Sequence, residues 1–132
     1  MKKLTDSNPK IQYLSGVFDI GGCVRIETPR KGEKSCLYIW ITHPNFELME
    51  VLQSLGGYVS RKTDGQYRAK WKDLRAYQLL KLMIPHLILR KDQAKCGLEF
   101  FEVKLSKPDT YDQDEVICRL RLKLLKKSEE DI

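Results

Sequence analysis

The strict alternation of apolar and polar side chains over residues 37–42 constrains the fold more than any other feature of the chain. Leucine or isoleucine at 37, 39 and 41 alternates with Tyr38, Trp40 and Thr42. Side chains spaced in this way point to opposite faces of a β-strand. The pattern therefore predicts a strand with one face in a core and the other outside it, as in an antiparallel sheet covered on one side.

Further short elements flank this strand. Four strands are predicted, at residues 24–27, 37–42, 58–63 and 66–72. The second hairpin turns at Asp64-Gly65, a pair typical of tight turns. The spacing of apolar residues predicts helices at residues 9–20, 46–55, 74–84 and 90–105. The order α-β-β-α-β-β-α-α indicates an α+β domain.

Local signals mark the ends of two helices. Asn8 precedes a first-turn proline and is expected to cap the first helix, which ends at Gly21-Gly22. Asp73 is expected to cap the third helix, with Leu74 on its inward face.

The C-terminal part of the chain is ambiguous. Residues 112–127 fit a helix, although residues 119–124 also alternate like a strand. The length and the basic residues at its end favour a helix. We expect an N-terminal tail at residues 1–8, a domain at 9–105 and a helical extension at 106–132.

The charge balance favours an anionic partner. The chain has 132 residues and 24 Lys and Arg against 18 Asp and Glu, which gives a net charge of +6. A hydrophobic content of 42% excludes an intrinsically disordered chain. No apolar run approaches the roughly 20 residues needed to span a bilayer, so no membrane partner is expected. The first residues contain no apolar stretch of signal-peptide type, so we expect an intracellular protein, cytoplasmic, nuclear or organellar depending on the host.

The cysteines form no metal-binding or disulfide pattern. Cys23, Cys36, Cys96 and Cys118 are widely separated, no CxxC occurs, and the chain has only two histidines. We expect four free thiols that pack as small hydrophobic residues.

The outward positions of the predicted sheet are basic and aromatic. Residues 58–75 hold six basic and two acidic residues, a net charge of +4. Lysine and arginine bind phosphates and base edges, and aromatic rings stack on bases, so this face suits nucleic acid. A solvated face that keeps the protein soluble would have a similar composition. The predicted DNA-binding residues are Arg25, Glu27, Arg30, Lys34, Tyr38, Trp40, Thr42, Lys62, Arg68 and Lys70.

Residues 14–22, with the sequence LSGVFDIGG, resemble the LAGLIDADG motif of the homing endonucleases. Residues 84–94 look like a later stretch of that family where one helix ends and the next begins. Residues 55–59 resemble the segment that follows the second helix in that family. The segments occur in the order of the family, and the resemblance covers residues 9–105. It implies an αββαββα domain whose four-stranded antiparallel sheet forms a saddle, with helices on one face.

The resemblance also implies a mode of action. Two domains of this family pair through their motif helices, the sheets bind duplex DNA, and acidic residues at the helix ends hold divalent metal for cleavage. The implied dimer-interface residues are Leu14, Ser15, Gly16 and Asp19. The implied catalytic positions are Asp19, Gly21 and Arg90.

Two of these positions depart from the family. Gly21 replaces the acid that binds metal, and glycine offers no carboxylate. Arg90 occupies the position of a lysine in the family. The arginine keeps the positive charge, but it cannot act as a proton carrier. Asp19 matches the acid that orders the helix end. We therefore expect a degenerate catalytic site and no metal site.

With these departures, the resemblance implies a homodimer that binds double-stranded DNA through its sheet, a pseudoenzyme with cleavage weak or lost. No cofactor is expected, apart from Mg²⁺ if nuclease activity is retained. Two alternatives stay open. One is an active Mg²⁺-dependent endonuclease in which another carboxylate or a partner chain completes the site, and the other is an RNA-binding maturase or ribonucleoprotein component.

Overall fold

The computed structural model of the chain describes residues 8–28, 30, 34–106, 118 and 121–126. The helices are α1 (Pro9–Gly21), α2 (Phe46–Ser54), α3 (Leu74–Met83) and α4 (Lys91–Ser106). The strands are β1 (Gly22–Glu27), β2 (Cys36–His43), β3 (Tyr58–Arg61) and β4 (Tyr67–Lys72). A short 3₁₀ turn, Ile84–His86, joins α3 to α4. The order of these elements is the predicted one.

The four strands form one antiparallel sheet in the order β1-β2-β4-β3. Ile39 of β2 lies opposite Val24 of β1 on one side and Trp71 of β4 on the other. All three side chains are buried, because this face of the sheet packs against the helices. Leu37, Ile39 and Ile41 are buried and Trp40 and Thr42 are partly exposed, as the alternation predicts, whereas Tyr38 on the helix-free side is only 7% exposed.

The helices supply the other half of a single core. Each contributes side chains that are almost fully buried, among them Phe18, Met49, Leu80 and Phe100. Trp71 packs between the sheet and α2, and its indole N–H donates to the Leu55 carbonyl at 3.2 Å. The polar atom of this large side chain is therefore paired inside the core.

The junction between α1 and β1 is made by two adjacent glycines with different environments. Helix α1 begins after Asn8, whose side chain accepts the Lys10 N–H at 2.9 Å as predicted, and it ends at Gly21. At Gly22 a Cβ atom would overlap the ring of Phe18, whereas at Gly21 it would meet no atom within 4 Å. Packing therefore requires glycine at position 22 but not at position 21.

We expect Gly22→Ala to destabilise the protein, because the ring of Phe18 is fully buried and must shift to admit a methyl group. Overpacking of this kind costs about 1–3 kcal/mol in the free energy of unfolding. Urea denaturation should show a lower midpoint with an unchanged slope. Gly21→Ala is the matched control and should be as stable as the wild type or slightly more so. Equal midpoints for the two variants would contradict this account of the junction.

Asp73 occupies the N-cap position of α3, as predicted, but its side chain does not cap the helix. Its backbone φ is 49°, and its side chain makes no capping hydrogen bond to the helix. Its carboxylate instead accepts the Leu37 N–H at 3.0 Å and the Lys104 ammonium group at 3.4 Å, which links β2 to α4. The sharp turn between β4 and α3 directs the side chain toward the sheet, and it also leaves Leu74 exposed rather than inward. The inward residues of α3 are Ala76, Leu79, Leu80 and Met83.

Residues 121–126 are helical; Arg121 forms an ion pair with Glu99 of α4, and Lys126 reaches the edge strand β1. Leu122 is buried, and the Lys126 ammonium group donates to the Val24 carbonyl of the edge strand at 2.6 Å. Burial lowers the pKa of Lys126. The other residues of the predicted C-terminal helix, apart from position 118, lie outside the described residues, as does the tail at 1–7. Within the described residues no helix is long and apolar enough to cross a membrane.

The cysteines are free thiols, as predicted. Cys36, Cys96 and Cys118 are buried, while Cys23 is half-buried near the Lys126 ammonium group. Burial raises the pKa of the Cys96 thiol to about 11, and burial with the nearby Asp73 carboxylate also raises the pKa of Cys36. These two thiols therefore stay protonated at neutral pH.

Candidate nucleic-acid interface

Three rows of at least three residues cross the helix-free face of the sheet, which we call the outer face. Glu27 and Cys36 form a fourth, shorter row on the same face. Residues that lie opposite one another on neighbouring strands share a face, so the strand register defines the rows. The first row is Arg25, Tyr38 and Lys72; the second is Cys23, Trp40, Lys70 and Tyr58; the third is Thr42, Arg68 and Ser60. Since β2 lies between β1 and β4, its two aromatic rings stand among cations from both neighbours.

Trp40 is the centre of one cation–aromatic cluster. The guanidinium carbon of Arg68 lies 4.3 Å from the centroid of its ring, and that of Arg25 lies 5.2 Å away. The Arg68 Nε also donates to the Thr42 hydroxyl at 3.4 Å. Arg25 in turn faces the Glu27 carboxylate at 3.8 Å. Stacking and hydrogen bonding thus hold two guanidinium groups on one surface.

Tyr38 is the centre of a second cluster. The ammonium groups of Lys70 and Lys72 lie 5.0 and 6.0 Å from the centroid of its ring. Tyr38 itself is only 7% exposed. Burial raises the pKa of its hydroxyl, which therefore stays neutral at physiological pH. A ligand on this surface would meet the two lysines before it met the ring.

The remaining predicted binding residues lie on loops at the margins of the outer face. Arg30 and Lys34 belong to the β1–β2 connection, and both are exposed. Lys62 begins the β3–β4 turn and lies 3.7 Å from the Asp64 carboxylate. This turn has the predicted tight geometry, with Gly65 at a φ of 86°. The structure thus places Lys62 next to an acid that reduces its local positive potential.

The register adds a residue that the sequence did not single out. Tyr58 lies opposite Lys70 at the β3 edge of the outer face and is 72% exposed. The register also places Lys72 on this face, opposite Tyr38, as the alternation of β4 in the sequence predicts. Only the pairing of β3 with β4 reveals the position of Tyr58, because β3 is short and its burial does not alternate clearly.

The carboxylate of Asp19 is occupied by backbone hydrogen bonds. It accepts the N–H groups of Ile88, Leu89 and Arg90 at 2.8, 3.0 and 2.9 Å. These three residues form the turn before α4, so Asp19 ties the end of α1 to the start of α4. Asp19 therefore orders the helix end, in the way that the resemblance implies for this position.

The residues present do not fit the magnesium site that the resemblance implies. Gly21 has no side chain at the position of the metal-binding acid, and the Asp19 oxygens face backbone donors. Within the described part of the chain, no three His, Cys, Asp or Glu side chains cluster as metal ligands would. Arg90 is half-buried and joins this region through its backbone N–H to Asp19.

The face of α1 that is open to solvent differs from the predicted interface. Leu14 and Ser15 are fully buried inside the protein, and the Ser15 hydroxyl donates to the Ile11 carbonyl at 2.7 Å. Asp19 is also buried, so of the four predicted residues only Gly16 is exposed. The open face consists of Tyr13, Gly16, Val17 and Ile20, which line a depression of about 880 Å³ together with residues of α2.

Comparison with solved structures identifies the architecture. The homing endonuclease I-CvuI in complex with its target superposes with a TM-score of 0.72 at 22% identity, over 88% of this chain and 81% of its own. The archaeal intron-encoded homing endonuclease I-Vdi141I complexed with DNA gives a TM-score of 0.69 at 19% identity, over 89% and 82% of the two chains. The chain has the LAGLIDADG homing endonuclease fold. The predicted resemblance and fold class are confirmed.

The fraction of the neighbour's length that this chain matches differs from one structure of the LAGLIDADG fold to another. It matches 96% of the homing endonuclease I-TnaI, with a TM-score of 0.60 at 16% identity. It matches 43% of the LAGLIDADG meganuclease I-AabMI bound to uncleaved DNA, with a TM-score of 0.65 at 15% identity. The chain therefore spans less than half the length of that meganuclease. Neither a protein-family model nor a curated protein sequence matches the chain.

Proposed function

We propose that this protein binds duplex DNA through the outer face, as a homodimer, and cleaves it weakly or not at all. The observation that carries the proposal is the pair of cation–aromatic clusters around Trp40 and Tyr38 on the helix-free side of the sheet. Proteins of the same fold, I-CvuI and I-Vdi141I, have been solved in complex with DNA.

The outer face suits the major groove of DNA. That groove is about 12 Å wide and admits a two-stranded ribbon of antiparallel strands. The β2–β4 pair would present Arg68, Lys70 and Lys72 along one line of the groove. Lysine ammonium groups act as point charges that bind phosphates, and binding releases counterions from the duplex.

The open face of α1 supports pairing with a second copy of the chain. Tyr13 and Ile20 are 56% and 77% exposed, and Gly16 lies between them on the same side of the helix. Large apolar side chains beside a small residue allow close packing of two helices and remove apolar surface from water. A symmetric dimer would place two outer faces side by side and would favour a pseudo-palindromic target.

Weak or absent cleavage follows from the chemistry at the end of α1. Metal-dependent hydrolysis needs carboxylate ligands, and neither Gly21 nor the engaged Asp19 supplies one. Arg90 keeps a positive charge but cannot transfer a proton near neutral pH.

An active heterodimeric endonuclease is the second candidate. Gly21 is exposed, and a side chain there would have open space around it. A carboxylate of a different partner chain could therefore approach the end of α1. DNA cleavage that requires both Mg²⁺ and a second protein would favour this candidate over the homodimer. Preferential binding of structured RNA would instead favour the RNA-binding alternative.

We expect Lys70→Ala to weaken binding to duplex DNA and to reduce its salt dependence, because the variant removes one cation of the outer face. The slope of log K against log salt should fall by about 0.9 for each lost phosphate contact. Fluorescence anisotropy with a duplex selected from a random pool, at several salt concentrations, measures both quantities. Lys95→Ala is the matched control, since Lys95 is exposed on α4, outside the outer face. Equal slopes for the two variants would contradict DNA binding by this face.

The oligomeric state is tested separately. We expect sedimentation of the free protein to give a dimer, and Ile20→Glu to give a monomer that keeps its fold, because it places a charge on the open face of α1. A monomeric wild-type protein on DNA, with a footprint of one half-site, would contradict the dimer.

A further inference from the structure

We infer that Arg68 reads a guanine base in the major groove and that Trp40 is the residue that positions it. The inference rests on the proposed function, since it concerns which part of the outer face contacts bases. It assigns different tasks to cations that look equivalent in the sequence: base recognition to Arg68, and phosphate binding to the lysines beside Tyr38.

The guanidinium group of Arg68 is held in place before any ligand binds. Its carbon lies 4.3 Å from the centroid of the Trp40 ring, closer than any other cation–aromatic contact among the described residues of the outer face. Its Nε donates to the Thr42 hydroxyl at 3.4 Å. Two fixed points, one on the flat face of the group and one on its edge, restrict the rotation of a long side chain. Binding then costs less conformational entropy than it would for a free arginine.

The hydrogen bond to Thr42 leaves the end of the guanidinium group available. Arginine carries five donors, and the two terminal nitrogens form a planar fork. Within the described residues, Arg68 has no carboxylate within ion-pair distance. The O6 and N7 atoms of guanine are adjacent acceptors at the major-groove edge, and a guanidinium fork fits them with two parallel hydrogen bonds. The free end of Arg68 therefore matches guanine in shape and in donor pattern.

The neighbouring cations fit this task less well. Arg25 touches the same ring at 5.2 Å, but it also faces the Glu27 carboxylate at 3.8 Å, which competes for its donors. Lys70 and Lys72 lie over Tyr38 and end in compact ammonium groups with no planar fork. The lysines are suited to phosphates, whose recognition carries no direct sequence information.

The position of Arg68 in the sheet also favours base contact. It lies on β4, which is an inner strand of the sheet, and its row is completed by the short side chains of Thr42 and Ser60. Short neighbours on both sides leave room for a base edge to approach the guanidinium group. The rows that contain Tyr38 and Trp40 carry bulkier side chains.

The test compares sequence preference with salt dependence in matched variants. The wild-type protein, Arg68→Lys, Arg25→Lys and Lys70→Ala are each used to select duplexes from a random DNA pool, and binding is then measured at several salt concentrations. All four proteins are first checked for folding by circular dichroism. Arg68→Lys keeps the charge, so we expect its salt slope to equal that of the wild type. We expect its preference for guanine at one position of each half-site to fall about tenfold, within the usual range for loss of a bidentate base contact.

The control variants should behave differently. Arg25→Lys should keep the guanine preference, and Lys70→Ala should keep it while lowering the salt slope. Trp40→Leu, which removes the stacking surface but retains Arg68, should reduce the guanine preference by a smaller factor than Arg68→Lys.

The outcomes separate the inference from the proposed function. A wild-type protein that binds no duplex would overturn the proposed function and the inference with it. A wild-type protein that binds duplex without a guanine preference, or an Arg68→Lys variant that keeps every base preference, would overturn the inference and leave DNA binding by the outer face intact.

Discussion

Gly21→Asp is expected to raise Mg²⁺-dependent cleavage of bound duplex DNA by at least about 100-fold, since loss of a single group that stabilises a transition state typically costs about 10²–10³ in rate. The substitution supplies a carboxylate at the end of α1, at the position where the resemblance places the metal-binding acid. The structure admits it, because a Cβ atom at this position meets no atom within 4 Å. The selected duplex, incubated with Mg²⁺ and analysed on denaturing gels, gives the cleavage rate, and calorimetry with Ca²⁺ gives metal binding independently of cleavage.

Gly21→Asn is the control for this experiment. It has nearly the same size as aspartate but carries no charge, so it should bind DNA like the wild type and should neither bind Ca²⁺ nor cleave. A Gly21→Asp protein that binds DNA and gains neither metal binding nor cleavage would contradict the view that position 21 is the deficient position. Efficient cutting by the wild type as a homodimer would contradict the loss of activity altogether.

Asp19→Ala is expected to lower the free energy of unfolding by about 3–5 kcal/mol. The carboxylate accepts three backbone hydrogen bonds, and bonds to a charged group contribute roughly 1.5–3 kcal/mol each with incomplete additivity. The variant would leave the N–H groups of Ile88, Leu89 and Arg90 without this acceptor at the start of α4. Thermal and urea denaturation measure the loss.

Two further variants define the cause. Asp19→Asn keeps one oxygen acceptor without the charge and should fall between the alanine variant and the wild type. Asp92→Ala removes an exposed aspartate from the first turn of the same helix α4 and should cost at most about 1 kcal/mol. If Asp19→Ala proved as stable as Asp92→Ala, the bonds across the α1–α4 junction would not support the fold as described.

Much of the architecture could be predicted because it depends on short-range patterns. The alternation over β2, the tight turn at Asp64-Gly65 and the cap at Asn8 each involve residues within a few positions of one another. Such patterns restrict the backbone directly, whatever the rest of the chain does. Two hairpins separated by one helix and flanked by others then leave few arrangements that cover only one face of the sheet.

The side-chain partners of Asp73 and the open face of α1 do not depend on such short-range patterns. An aspartate before a helix is a frequent cap, yet this one lies at a left-handed turn and bonds to Leu37, 36 residues away in sequence. The motif helix was expected to present Leu14 and Ser15 to a second copy, but the packing of α1 against α3, the 3₁₀ turn and the sheet leaves both buried. Neither outcome depends on local periodicity.

The sequence by itself determined the order of the elements, the two-sided character of the sheet and the absence of a carboxylate at position 21, because these properties are local or belong to a single side chain. Only the tertiary structure decided which cation contacts which ring, which side of α1 is open and what Asp19 binds. Arg68 meets Thr42 across 26 positions, and Asp19 meets its three donors across 69 to 71. Contacts at such separations are set by strand register and helix packing, which no short window of sequence specifies.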